Sequence, residues 1–151
     1  MVIKNGRVFL PGKGFTDCDL GFGELIEASG SLGDGGYDAS GCYVVPGYVD
    51  IHTHGAMNLD FSDGDAAAMP VLADYYARNG VTSFLATTMT LKEPELTRAM
   101  HAVRDAGGTG AARCAGVHLE GPFLSYNKRG AQNPDNLHAP DADMLERLNT
   151  A

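Results

Sequence analysis

From residue 47 onward the chain alternates between β-prone and helix-prone stretches, and that alternation constrains the fold more than any other feature. "YVDIHTH" at 48–54, "VTSFLATTMT" at 81–90 and "ARCAGVHLEG" at 112–121 are short runs rich in apolar and β-branched residues. Between the first two, "DGDAAAMPVLADYYARNG" at 63–80 predicts a helix stopped by Gly80 in the left-handed conformation. "EPELTRAMHAVRDAG" at 93–107 predicts a second helix, opened by a Thr90–Glu93 capping box, with Pro94 in the first turn where a missing N–H costs little. "DADMLERLNTA" at 141–151 predicts a third, with Met144, Leu145 and Leu148 on one face. Strand, helix, strand, helix, strand, helix implies βαβ units on a parallel sheet, whose strands are apolar on both faces because helices bury them. The 48–54 strand is therefore expected to be buried.

The first 46 residues follow a different rule. Their β-prone pieces are short and broken by glycine and proline, and no helical period crosses them. Asn5-Gly6, between "MVIK" and "RVFL", predicts a hairpin turn. The chain thus divides into a small β unit at 1–46 and an α/β unit at 47–151. A closed (β/α)₈ barrel takes roughly 250 residues, so three strands imply either a small open α/β domain or the front of something larger.

Composition narrows the function classes. The formal net charge is -8, and an acidic surface argues against nucleic acid and anionic membranes, which select basic faces. A small anionic substrate stays possible, since it needs only a local cationic pocket. No apolar run is long enough to span a bilayer, and "MVIKNGRVFL" has neither the long apolar core nor the cleavage site of a signal peptide. Cys18, Cys42 and Cys114 are odd in number and form no C-x-x-C, which reads as buried, reduced thiols in a cytoplasmic protein. The sequence contains no G-x-S-x-G, no P-loop and no G-x-G-x-x-G after a strand, so serine-type catalysis and nucleotide binding lack support.

The chemistry-bearing residues gather at strand ends. His52 and His54 lie two apart, so alternation points both to one side, with Asp50 one layer deeper. Two imidazoles at the C-terminal end of a parallel strand can converge on one borderline cation such as zinc or iron. The plain alternative is a strand end that meets solvent. Asp50 could accept a ring N–H from a ligating histidine, or cap the backbone. On the third strand Gly116, His118 and Glu120 share one face. Glu120 needs a partner there or must stay protonated; a cation shared with His52 and His54 would supply one, and a salt bridge would also serve. His118 fits a core histidine as well as a functional one. The polar stretch "SYNKRGAQNPDN" at 125–136 has the character of a substrate-contacting loop, with Lys128 and Arg129 as candidate anion contacts or solvated cations. Thr87 and Thr88 could line a pocket. His101 and His138 read as surface or packing residues.

Two of these stretches also carry a family likeness. "VVPGYVDIHTHG" is similar to the first-strand signature of the amidohydrolase superfamily, and "GVHLEGPFLSYNKRGAQNP" resembles the N-acetylglucosamine-6-phosphate deacetylase family, in which H-L-E-G-P and an aromatic residue precede a K-x-G-A/T loop. The resemblance implies the N-terminal part of a metal-dependent (β/α)₈ barrel, with its first three β/α units at 47–151, preceded by part of a small β-sandwich domain at 1–46. It implies Glu120, His52 and His54 as ligands of a divalent metal ion, zinc first and iron or another metal next. Ala131 corresponds to a substrate-contacting loop position, and Gln132 stands beside it where the family usually has a substrate-holding histidine. The catalytic general-base aspartate is expected beyond Ala151, so no residue here is assigned that role. The implied reaction removes acetate from N-acetylglucosamine 6-phosphate in a cytoplasmic homodimer, with the 151-residue chain inactive alone. The competing expectations are another amidohydrolase, such as a dihydroorotase-like enzyme, and a non-catalytic truncated chain.

Overall fold

The computed structural model describes residues 1–106, 108 and 110–150. The chain separates into two units, Met1–Pro46 and Gly47–Ala151.

The first unit is a single sheet. Strands β1 (Val2–Leu10), β2 (Gly14–Phe22) and β3 (Ile26–Gly30) run antiparallel in sequence, while two short strands, β4 (Tyr37–Asp38) and β5 (Tyr43–Val44), pair parallel with β1. Asn5-Gly6 does not form the expected hairpin turn. β1 runs through it, and its register against β2 slips between Ile3 and Gly6, with Asn5 at a φ of 58°. The same left-handed preference that serves a turn here serves a bulge. Asp19 of β2 holds it, accepting the Asn5 N–H at 2.9 Å and the Lys4 ammonium at 2.8 Å. Cys18 and Cys114 are only half-buried and Cys42, on the segment between β4 and β5, is exposed, so none of the three is the fully buried thiol expected.

The second unit carries the parallel sheet, in the order β10 (Arg113–Leu119), β9 (Val81–Thr88), β6 (Tyr48–Thr53). A two-stranded ribbon, β7 (Gly55–Ala56) and β8 (Leu59–Asp60), follows β6. Helices α1 (Ala68–Arg78), α2 (Glu93–Asp105) and α3 (Ala142–Thr150) fall where expected. Gly107 and Ala151, the expected ends of the second and third helices, lie outside the described residues. α1 starts later than its pattern, because Pro70 has no N–H to give and fits only in a first turn, where the N–H groups have no helical partner. It ends at Arg78, and Gly80, just past the cap at Asn79, takes a φ of 83° that is open to glycine at little cost.

α1 lays Leu72, Ala73 and Tyr76 on Phe84 and Ala86 of β9. Leu96 of α2 packs with Met144 and Leu148 of α3 against Leu119. Leu145, expected on that buried face, is exposed. The capping box of α2 forms at Lys92 and Glu95, two residues later than expected, with the Glu95 carboxylate accepting the Lys92 N–H at 3.0 Å. Glu93 instead pairs with Arg147 of α3, at 2.6 Å and 3.0 Å.

β6 overturns one expectation. It is an edge strand, and Tyr48, Val49 and Ile51 are exposed at 69%, 67% and 65%. Its apolar character matches a buried parallel strand, but among the described residues nothing covers that flank.

Candidate metal centre

Both edge strands insert a residue against the same short stretch of β9. β6 stands in register at Asp50–Phe84 and again at Thr53–Ala86, so Ile51 and His52 face Leu85 alone. β10 stands in register at Cys114–Phe84 and Gly116–Leu85, leaving Ala115 over. An inserted residue switches the face of every side chain after it. Phe84 and Ala86 lie in the α1 core, so the opposite face of β9 carries Leu85 and Thr87. After the bulges, His118 is in register with Thr87, and His54, next after Thr53, falls level with Thr87 as well.

The result is convergence. His54 Nε2 lies 2.8 Å and His52 Nε2 lies 3.3 Å from one oxygen, Glu120 Oε2. One donor atom from each of the three residues falls within 4.8 Å of the others. His54 and Glu120 are about a third exposed and His52 about half, so the cluster is open on the His52 side. Asp50 does not join them as strict alternation predicts. It precedes the bulge, stands in register with Phe84, and its charge acts on Tyr76 of α1. Its Oδ1 accepts the backbone N–H of His52 at 3.0 Å, not a ring N–H.

Glu120 is held from behind. Thr90 Oγ1 donates to the Glu120 carbonyl at 2.8 Å. Gly121 makes that approach possible: its φ is 89°, and a Cβ there would lie 2.1 Å from Thr90 Oγ1. Burial pushes the Glu120 carboxyl up, but hydrogen bonds from Gln132 and His54 and the charges of the two histidines outweigh it, leaving the group below its ordinary value. A carboxylate kept ionised beside two imidazoles is a borderline-to-hard donor set of the kind that takes zinc or iron. Ligand bonds of about 2.0–2.2 Å in a tetrahedral shell set neighbouring donors about 3.3–3.6 Å apart. The 3.3 Å between His52 Nε2 and Glu120 Oε2 matches that spacing, while the 2.8 Å from His54 Nε2 is a direct hydrogen-bond distance that a bound ion would have to widen. His54 Nδ1 is buried with no hydrogen-bond partner among the described residues.

The other candidates separate. Gln132 is 5% exposed, and its Oε1 accepts the Thr90 N–H at 2.8 Å, while Ala131 beside it is exposed. Arg129 lies over the Tyr126 ring at 4.2 Å and donates to the Tyr126 carbonyl, while Lys128 is exposed. Thr87 is buried beneath the site and Thr88 Oγ1 has no partner among the described residues. His118 Nδ1 bonds to the Ile51 carbonyl at 3.0 Å, and its ring meets that of His52 edge-on at 4.8 Å. The roles of Thr90 and Gly121 carry no mark in the sequence beyond the glycine that directly follows Glu120.

Parallel strands whose C-terminal ends join an H-x-H pair to a glutamate give an amidohydrolase-type α/β sheet, and solved structures agree. The chain superposes on N-acetyl-D-glucosamine-6-phosphate deacetylase from Mycobacterium smegmatis with a TM-score of 0.83 and 26% identity, covering 99% of this chain and 43% of that one. The particular likeness is to the N-acetylglucosamine-6-phosphate deacetylases. Identity is 33% to the Lysinibacillus sphaericus enzyme of that name, over 73% of this chain and 29% of the relative. It is 30% to the Homo sapiens enzyme, over 97% of this chain and 34% of the relative. The chain spans about a third of the length of these curated relatives. No family model matches it. Among the described residues, no helix is long and apolar enough to cross a membrane.

Proposed function

We propose that this chain supplies the first part of a metal-assisted deacetylase acting on N-acetylglucosamine 6-phosphate, with glucosamine 6-phosphate and acetate as products. In this reading 1–46 is part of a small β-sandwich domain and 47–151 holds the first three β/α units of an eight-unit barrel. The observation that carries it is the convergence of His52 Nε2 and His54 Nε2 on Glu120 Oε2, at the C-terminal ends of parallel strands where such barrels keep their sites.

Glu120, His52 and His54 would hold one divalent ion, zinc first and iron next. Bound there, the ion would supply Lewis acidity toward the acetyl carbonyl and acidify a water. Glu120 brings the negative charge that retains a cation, and Thr90 and Gln132 fix the angle at which it does so. Ala131 would meet the sugar through exposed backbone, and Gln132 serves the same contact by tying that loop to Thr90. The proton transfers of amide hydrolysis, from the water and to the leaving amine, are assigned to an aspartate outside these residues. The 151-residue chain alone would then release no acetate, and the complete enzyme would work as a cytoplasmic homodimer.

Zinc titration of the purified chain, followed by calorimetry, tests the centre: one ion per chain is expected, and no uptake refutes it. An acetate-release assay on N-acetylglucosamine 6-phosphate tests the rest. Robust turnover by this chain alone would refute its proposed inactivity, and preferential hydrolysis of a cyclic ureide would favour a dihydroorotase-like enzyme.

A further inference from the structure

The bulge in β6 decides whether there is a site at all. Asp50 is in register with Phe84, on the face turned to α1. Without the inserted residue, His52 would stand level with Ala86 and His54 with Thr88, both on that same helix-facing side. The insertion turns both imidazoles to the face of Thr87, His118 and Glu120. A bulge also strips its residues of ladder partners, and backbone groups left unpaired are costly.

Side chains take the place of the missing ladder. The Thr53 N–H donates to Thr87 Oγ1 at 3.0 Å, and that hydroxyl passes its own proton toward the Leu85 carbonyl at 3.5 Å. His118 Nδ1–H donates to the Ile51 carbonyl at 3.0 Å, reaching over the central strand from β10 to β6. A carbonyl only accepts, so this bond fixes the proton of neutral His118 on Nδ1. Thr87 is fully buried and His118 half-buried against His52.

We propose that Thr87 and His118 are positioning residues that clasp the β6 bulge and so aim His52 and His54 at Glu120. Neither touches the reacting atoms. The inference rests on reading the three donors as a metal centre, but the clasp can be measured without any metal.

The test uses the whole chain and two pairs of substitutions. Thr87→Val keeps shape and loses the hydroxyl, and His118→Phe keeps the ring and loses the donor. Thr87→Ser and His118→Asn restore a hydroxyl and a donor near Nδ1. Amide hydrogen exchange is followed at His52 and Thr53 in metal-free protein, and cobalt(II) is titrated by its visible absorption. In the first pair, exchange at Thr53 is expected to rise at least tenfold, and cobalt affinity to fall about 10- to 100-fold with an altered spectrum. The second pair is expected to recover both. Unchanged exchange in Thr87→Val and His118→Phe, with circular dichroism showing an intact sheet, overturns the clasp, as does faster exchange with full cobalt affinity. If the parent chain itself takes up no cobalt, the metal centre fails, and exchange alone upholds or overturns the clasp. Thr87→Val, being isosteric, keeps the test open should His118→Phe fold poorly.

Discussion

The side-chain oxygen of Gln132 accepts the backbone N–H of Thr90 at 2.8 Å, in a buried contact that joins the loop after β10 to the end of β9. The Thr90 carbonyl receives Asn136 Nδ2 at 3.0 Å, and its hydroxyl reaches the Glu120 carbonyl. Every polar group of Thr90 is thereby spent on the segment that carries Glu120. Gln132→Ala would leave the Thr90 N–H buried and unpartnered, which costs about 1–3 kcal/mol. Urea unfolding measures this directly, and a loss within about 0.3 kcal/mol of zero would mean that the bond contributes nothing.

Gly121 sits in the same knot. Alanine there must adopt a φ of 89° and find room for a Cβ 2.1 Å from Thr90 Oγ1. The backbone strain is about 1–3 kcal/mol, and the steric conflict adds to it. Gly121→Ala is expected to destabilise the chain by at least about 2 kcal/mol in urea unfolding, and to weaken metal uptake by moving Glu120. A stable variant with unaltered uptake would mean that Thr90 gives way without cost.

The element order of the second unit was legible because hydrophobic periodicity records it: Leu72, Ala73 and Tyr76 mark the face of α1 as plainly in the sequence as in the core. His54 and Glu120 were legible because alternation needs no tertiary knowledge after a bulge, and the bulges lie before them; His52, itself the second of the two residues set against Leu85, keeps the face of His54. Asp50 was misplaced for the same reason, since it lies before the insertion. A bulge has no reliable sequence mark; Asn5-Gly6 shows that one dipeptide serves a turn or a bulge alike. Thr90 reads as a helix cap only until Gln132 and Glu120, distant in sequence, claim its polar groups. The exposure of Tyr48, Val49 and Ile51 was hidden too, because apolar composition says what a strand tolerates and not what covers it.

Removing the carboxylate tests the candidate metal centre most sharply. Glu120→Gln is nearly isosteric but neutral, and leaves two imidazoles as the donors. Zinc affinity is expected to fall by at least about tenfold, or about 1.4 kcal/mol, with little change in far-ultraviolet circular dichroism. Retention of full affinity would place the ion away from Glu120.

Asp19 sets an acid limit on the first unit. The Lys4 ammonium and the backbone N–H groups of Asn5 and Leu32 hold its carboxylate, pulling its pKa from 3.8 down to about 2. A folded-state value below the unfolded one gives stability that is present above about pH 4 and lost as pH falls toward 2. Acid titration of the whole chain, followed by amide signals of β1 and β2, should show these strands loosening in that window. Asp19→Asn should be weaker at neutral pH and flatter between pH 4 and 2. An unchanged acid transition in Asp19→Asn would assign the limit to other carboxylates.

The exposed flank of β6 carries its own consequence. An edge strand offers unpaired N–H and C=O groups, and this one adds Tyr48, Val49 and Ile51 at two-thirds exposure. Proteins commonly guard such edges with lysine or proline, and β6 has neither. At raised concentration the chain should therefore self-associate through this edge. Val49→Lys places a charge on the strand without touching His52, His54 or the side chains that hold the bulge. Sedimentation velocity across a concentration series should show the parent chain growing toward larger species and Val49→Lys shifting toward single chains, with zinc affinity preserved. Identical sedimentation of the two would mean that association, if present, uses another surface.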